Sequence, residues 1–129
     1  FIFLADLIKE IHISCEVSFV KVSSYEGDKS SGKIKKEIGL QMPLKNRDVI
    51  IVEDIVDSGK TLEYLLEMIK KENPASVHVC TLLFKPDSLK VKIDEINYIG
   101  FEIADEFVVG YGLDYNGLGR NLRDIYKAV

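Results

Sequence analysis

What this chain has little of narrows its functions before any motif is considered. Only two of its 129 residues are cysteine, Cys15 and Cys80, far apart and without a C-x-x-C pairing. Such a pair builds neither a disulfide framework nor a zinc site, and a reduced, cytoplasmic protein is expected. An excess of basic residues is missing too. Seventeen Lys plus Arg stand against 21 Asp plus Glu, a formal net charge of −4. Domains that hold nucleic acid by bulk charge carry a basic face, so nucleic acid is not an expected partner. Local basic sites for a phosphorylated small molecule remain open. No stretch approaches the roughly 18 apolar residues of a membrane span, so no membrane association is expected. Repeats, low-complexity tracts and dividing linkers are absent, and the length fits a single domain over residues 1–129.

The N-terminus lacks a proper start. Phe1-Ile2-Phe3-Leu4-Ala5-Asp6-Leu7 opens without Met. No Ser, Thr, Asp or Asn precedes the apolar run to satisfy the first free N–H groups of a helix. Residues 3–11 read as the end of an amphipathic helix, and residue 1 is expected to lie inside a larger domain.

The remainder has the ordinary mix of a folded domain, 47% hydrophobic and 29% charged. Cys15 to Ser23 alternates at period 2 and predicts a strand. Residues 24–33 are polar, glycine-bearing and aperiodic, as a surface loop is. Val49-Ile50-Ile51-Val52 is a continuous apolar run, the mark of a strand in a parallel sheet, and it stops at Glu53. Leu62, Leu65, Leu66 and Ile69 then recur at helical spacing until Asn73-Pro74 ends the pattern. Further strands are predicted at Val77–Phe84, Tyr98–Ile103 and Phe107–Tyr111, the last two as a hairpin about Asp105-Glu106. The sum is an α/β fold with a largely parallel sheet.

Residues 49–61 carry the chemistry. The strand delivers Glu53 and Asp54 to its carboxyl end, where open α/β sheets bind ligands. A tight turn with Ser58 and Gly59 then feeds a helix starting near Lys60. Backbone N–H groups there, with the positive end of the helix dipole, make a phosphate site to which Ser58 and Thr61 can add hydroxyls. Two acids beside an anion cradle make sense if they bind sugar hydroxyls or a Mg²⁺ brought by the ligand. A ribose 5′-phosphate with a metal-bound pyrophosphate meets these demands. Gly59-Lys60-Thr61 looks like the tail of a P-loop, but that motif requires glycine where Asp54 stands.

The run Val49 to Thr61 (VIIVEDIVDSGKT) closely resembles the phosphoribosyl-pyrophosphate motif of the type I phosphoribosyltransferases. It is most similar to the version in hypoxanthine and hypoxanthine-guanine phosphoribosyltransferases. Ser24-Tyr25 with the following Gly/Ser/Lys-rich run resembles that family's mobile catalytic loop. Leu82-Leu83-Phe84-Lys85-Pro86 is similar to the strand end presenting its purine-reading lysine. Tyr98–Ile103 and Asp105–Tyr115 resemble its base-binding segment, and Arg120 falls where the family carries an arginine for pyrophosphate.

The resemblance implies a mostly parallel twisted sheet flanked by helices, with the N-terminal strand, part of the hood and the first pyrophosphate loop missing from this chain. It implies transfer of a phosphoribosyl group from phosphoribosyl pyrophosphate to a 6-oxopurine with Mg²⁺, in a homodimer or homotetramer. Asp57 becomes the general acid or base facing purine N7. Glu53 and Asp54 contact ribose hydroxyls and Mg²⁺, and Asp57, Ser58, Gly59, Lys60 and Thr61 form the 5′-phosphate loop. Lys85 donates to O6, Phe107 stacks on the base, and the Val108 backbone reads its edge. Asp114 binds a second Mg²⁺ or the base edge, Arg120 takes pyrophosphate, and Ser24 and Tyr25 close over the reaction centre. His12 and His78 are assigned to structure, and Tyr111 and Tyr115 to packing. Two alternatives stand beside catalysis: a regulatory relative that binds the same ligand, and a fragment inactive for want of the first pyrophosphate loop. The acidic balance, without a basic helix, speaks against the regulator.

Overall fold

The apolar N-terminal run forms a short helix, α1 (Ile2–Leu7), that tightens into a 3-10 turn at Ile8–Glu10. Phe1 holds the N-cap position without a side-chain hydrogen bond, in keeping with the uncapped sequence. The computed structural model describes residues 1–24, 34–40 and 42–128. Within the stretch predicted as a strand over Cys15–Ser23, only its end pairs. Strand β1 (Lys21–Ser24) runs antiparallel to β2 (Ile34–Ile38), an element that the sequence reading lacks. Alternation sets an extended backbone, but a ladder also needs a partner, and β2 supplies only five residues. Val17 and Phe19 are left exposed. Tyr25 and the rest of the predicted loop through Lys33 lie outside the described residues.

The frame of the molecule follows. Strand β3 (Asp48–Val56), helix α2 (Lys60–Lys70) and strand β4 (Ser76–Phe84) form a β-α-β unit, and β5 (Ile96–Glu102) joins it. The sheet order is β3-β4-β5, with both pairings parallel and β4 in the centre. The helical spacing of Leu62, Leu65, Leu66 and Ile69 puts all four on one face, and all four are buried against Leu44, Ile51 and Val79. Val79 and Thr81 of β4 are 0% exposed, and the Thr81 hydroxyl is satisfied by donating to the Leu83 carbonyl at 2.7 Å. The other sheet face leaves Ile50 and Tyr98 in the open, with His78 hydrogen-bonded to Asn97 at 2.6 Å.

Two expectations are corrected here. β3 does not stop at Val52 but runs to Val56, so Glu53 and Asp54 lie inside the strand and Asp57 is the first residue beyond it. The predicted hairpin of Tyr98–Ile103 with Phe107–Tyr111 does not form. β5 pairs with β4, and the Ile103 N–H donates to the Phe84 carbonyl at 2.8 Å, extending that parallel pairing. The second segment contributes only β6 (Val108–Val109), antiparallel to β7 (Tyr126–Lys127). The buried central strand offered β5 a longer ladder than the five-residue segment Phe107–Tyr111 could.

At the mouth of α2, Gly59 is the N-cap residue in the left-handed region, φ +79°. A Cβ there would sit 2.7 Å from Leu89 Cδ1 and 3.0 Å from Val91 Cγ2, so the segment after β4 closes directly on this turn. The Lys90 N–H donates to the Ser58 carbonyl at 3.0 Å and locks the closure.

Leu66→Ala should lower the unfolding free energy by about 2–5 kcal/mol, since it empties space between α2 and the sheet. Glu67→Ala, on the exposed side of the same turn, should stay within about 0.5 kcal/mol. Urea unfolding of the two variants checks this, and equal losses would contradict the packing described.

Candidate active site

Three adjacent parallel strands end side by side, and each contributes a charged residue at its carboxyl end. Asp57 follows β3, Lys85 follows β4 and Asp105 lies three residues past β5. Backbone hydrogen bonds hold these ends in register, with the Lys85 N–H donating to the Val56 carbonyl at 3.0 Å. From this fixed base the Lys85 ammonium reaches Asp57 Oδ2 at 3.0 Å and Asp105 Oδ1 at 3.2 Å. The lysine side chain is only 7% exposed, whereas those of Asp57 and Asp105 are 53% and 71% exposed. The cation is therefore sunk into the strand ends beneath two acids that face outward.

Burial pulls the Lys85 pKa down, but hydrogen bonds to Asp57 and Asp105 and their charges outweigh it, so the net shift is upward. The lysine is a firmly protonated donor. The hydrogen bond from Lys85, together with the lysine's charge, holds the Asp105 carboxyl below its usual range.

Glu53 and Asp54 are neighbours within β3, so their side chains leave on opposite faces. Glu53 pairs in register with the fully buried Thr81 on the face that α2 covers. Desolvation, then the adjacent Asp54 charge, raises its pKa to about 7. Asp54 Oδ1 accepts the Ile55 N–H at 2.8 Å. Leaving on opposite faces, the two carboxylates do not converge on one point, and among the described residues no group of three or more His, Cys, Asp or Glu side chains is placed to hold a metal ion.

The Asp57–Thr61 turn carries the chain from β3 into α2. Gly59, not Ser58 or Asp57, is the N-cap residue, and no side chain hydrogen-bonds the first turn of α2. The helix N-terminus is thus without a side-chain cap, and Asp57 and Ser58 are not occupied as capping residues.

A second cluster lies in the C-terminal segment. Arg120 Nη2 pairs with Asp114 Oδ1 at 2.7 Å, and Arg120 Nη1 donates to the Gly112 carbonyl at 2.8 Å. The other Asp114 oxygen accepts the Gly117 N–H at 2.7 Å, so this acid also shapes its own turn. Phe107 is 53% exposed and meets the Tyr115 ring edge-on at 5.5 Å. Val108 is half-buried in β6 opposite Lys127. Among the described residues, no hydrogen bond or ion pair joins Arg120 to Asp57 or Lys85. Ser24 ends β1, and Tyr25 lies outside the described residues. Sequence reasoning passed over Asp105 as a turn residue; only its place after the strand that pairs with β4 could have pointed to it.

Comparison with known proteins shows the family and the fold. Residues 1–116 match the phosphoribosyl transferase domain family. The chain is 46% identical over 130 aligned residues to the hypoxanthine phosphoribosyltransferase of Buchnera aphidicola subsp. Schizaphis graminum, spanning 100% of this chain and 73% of that protein. It is 49% identical over 121 residues to the hypoxanthine-guanine phosphoribosyltransferase of Lactococcus lactis subsp. lactis, spanning 93% of this chain and 65% of the relative. A crystal structure of a hypoxanthine-guanine phosphoribosyltransferase from Bacillus anthracis, with HEPES in its active site, superposes with a TM-score of 0.92 at 40% identity. That match covers 99% of this chain and 75% of the other.

The raised Glu53 pKa makes a test of the strand-end electrostatics. Between the ordinary value of 4.5 and about 7, the folded state binds a proton that the unfolded state has released. Stability should therefore fall as pH rises through that window and level off above it. Glu53→Gln should remove this component and be more stable than the parent at pH 8. Urea midpoints at pH 5 and pH 8 measure both, and identical pH dependence in the two proteins would contradict the assignment.

Proposed function

Because this chain belongs to the phosphoribosyl transferase domain family, we propose that it serves purine salvage. It transfers the 5-phosphoribosyl group of phosphoribosyl pyrophosphate to hypoxanthine, and to guanine, releasing pyrophosphate. Its fold is that of the type I phosphoribosyltransferases. The observation that carries the reading is the 3.0 Å contact between Lys85 and Asp57. The two side chains assigned to the purine, 28 residues apart in sequence, meet at one point beside the helix N-terminus.

In the reaction, purine N9 forms a bond to C1 of the ribose as the bond from C1 to the pyrophosphate oxygen breaks. Positive charge develops on the ring, so fixing both ends of the sugar phosphate supplies most of the rate. The N–H groups at the start of α2, with the Ser58 and Thr61 hydroxyls, take the 5′-phosphate; Gly59 supplies the left-handed turn into the helix, and Lys60 adds positive charge. Glu53 and Asp54 receive the ribose hydroxyls. Glu53, Asp54 and Asp114 are the carboxylates that would hold Mg²⁺ arriving with the substrate, and the ion would supply neutralisation of charge on the leaving pyrophosphate. Asp57 holds or accepts the proton at purine N7. Lys85, a donor with no acceptor capacity, points an ammonium at the base O6. Phe107 offers an aromatic face for stacking, Val108 offers backbone groups at the base edge, and Arg120 offers charge for pyrophosphate. Ser24 and Tyr25 keep the role that the resemblance gives them, in the family's catalytic loop. The free thiols Cys15 and Cys80 suit a reduced cytoplasmic setting. No described helix is long and apolar enough to cross a membrane.

Turnover with hypoxanthine or guanine should exceed turnover with adenine by at least about a hundredfold, because adenine presents an amino donor to a lysine that can only donate. Comparable adenine turnover, read by nucleotide formation, would contradict the role of Lys85. Asp57→Asn should lower kcat by about 10²–10⁴ and leave phosphoribosyl-pyrophosphate affinity close to that of the parent. Titration calorimetry separates the two effects, and an unchanged kcat would remove Asp57 from proton transfer.

A further inference from the structure

Lys85 has two carboxylate partners, and only one of them has a task on the substrate. If Asp57 turns to the purine N7 proton, a side chain that is 7% exposed loses one of its two counter-charges. An ammonium so deeply placed would then lose part of what holds its proton and its direction. Asp105 meets the same ammonium from the other neighbouring strand, at 3.2 Å, and has no place on the base in the reading above. It also lies two residues before Phe107, so the stacking segment and the lysine share a tether. The groups that bear on this point are Asp57, the Ser88 hydroxyl and, at longer range, Lys90.

We propose that Asp105 is a positioning residue for 6-oxopurine recognition: it keeps the Lys85 ammonium charged and aimed at O6 while Asp57 is engaged with the base. The proposal rests on the reading that this site takes a 6-oxopurine. An exposed acid in an ordinary surface ion pair contributes little. Asp105 differs because its partner is buried, so removing it alters the donor that touches the ligand and not only the surface.

The test is binding of two ribonucleoside 5′-monophosphates, that of hypoxanthine and that of unsubstituted purine, which lacks the 6-oxo group. Calorimetry is run on the full chain, its Asp105→Asn and Asp105→Glu variants, and Lys85→Gln. Asp105→Asn should weaken the hypoxanthine nucleotide by about tenfold and change the purine nucleotide by less than about twofold. Asp105→Glu, which restores the charge, should recover most of the loss. A merely structural role would weaken both nucleotides alike, and that outcome overturns the proposal, as does an Asp105→Asn variant with the full preference. Should the parent bind both nucleotides equally, or Lys85→Gln keep the preference, the 6-oxopurine reading fails first and takes the proposal with it.

Discussion

A lysine ammonium buried at the end of the central strand must have counter-charges within reach, and this requirement organises the whole functional end of the molecule. Lys85 cannot lie 7% exposed beneath the surface unless acids come to it. One comes from each side, Asp57 from beyond β3 and Asp105 from beyond β5. Parallel pairing makes this possible, because it sets three carboxyl ends next to one another. An antiparallel neighbour would have offered its amino end instead.

The hydrophobic layer serves that arrangement. Four apolar residues of α2 cover the sheet over Ile51 and Val79, which fixes the helix over the strand ends. With the helix fixed, its first turn opens beside Asp57. The same turn holds Gly59 in a left-handed conformation, which side-chain-bearing residues rarely adopt, with Leu89 and Val91 packed against it. Packing, the turn into α2 and the charge cluster are thus one construction. A change in the core at Leu66 and a change in the turn at Gly59 act on the same platform from opposite ends.

Much of this platform was legible in the sequence. A continuous apolar run at Val49–Val52 and the spacing of Leu62, Leu65, Leu66 and Ile69 switch from strand to helix within a few residues, so β3, α2 and β4 could be placed. The roles of Asp57 and Lys85 came from the resemblance of their motifs, and the strand ends bring the two together. Partner choice was not legible. Nothing local in Tyr98–Ile103 says that β4 is a better neighbour than Phe107–Tyr111, or that β6 would pair with Tyr126–Lys127 near the chain's end. Cys15–Ser23 shows the same limit, since alternation specifies an extended backbone and not the strand it meets. Asp105 was missed because an acid in a turn is commonplace until the sheet order shows which cation it faces.

The most direct measurement is a crystal structure of this chain with the hypoxanthine ribonucleoside 5′-monophosphate bound. The account predicts the 5′-phosphate on the backbone N–H groups of residues 58–61, the ribose hydroxyls at Glu53 and Asp54, and the Lys85 ammonium within hydrogen-bond distance of O6 while still paired with Asp105. A nucleotide whose phosphate lies elsewhere, or whose base leaves Lys85 turned away from O6, would contradict it.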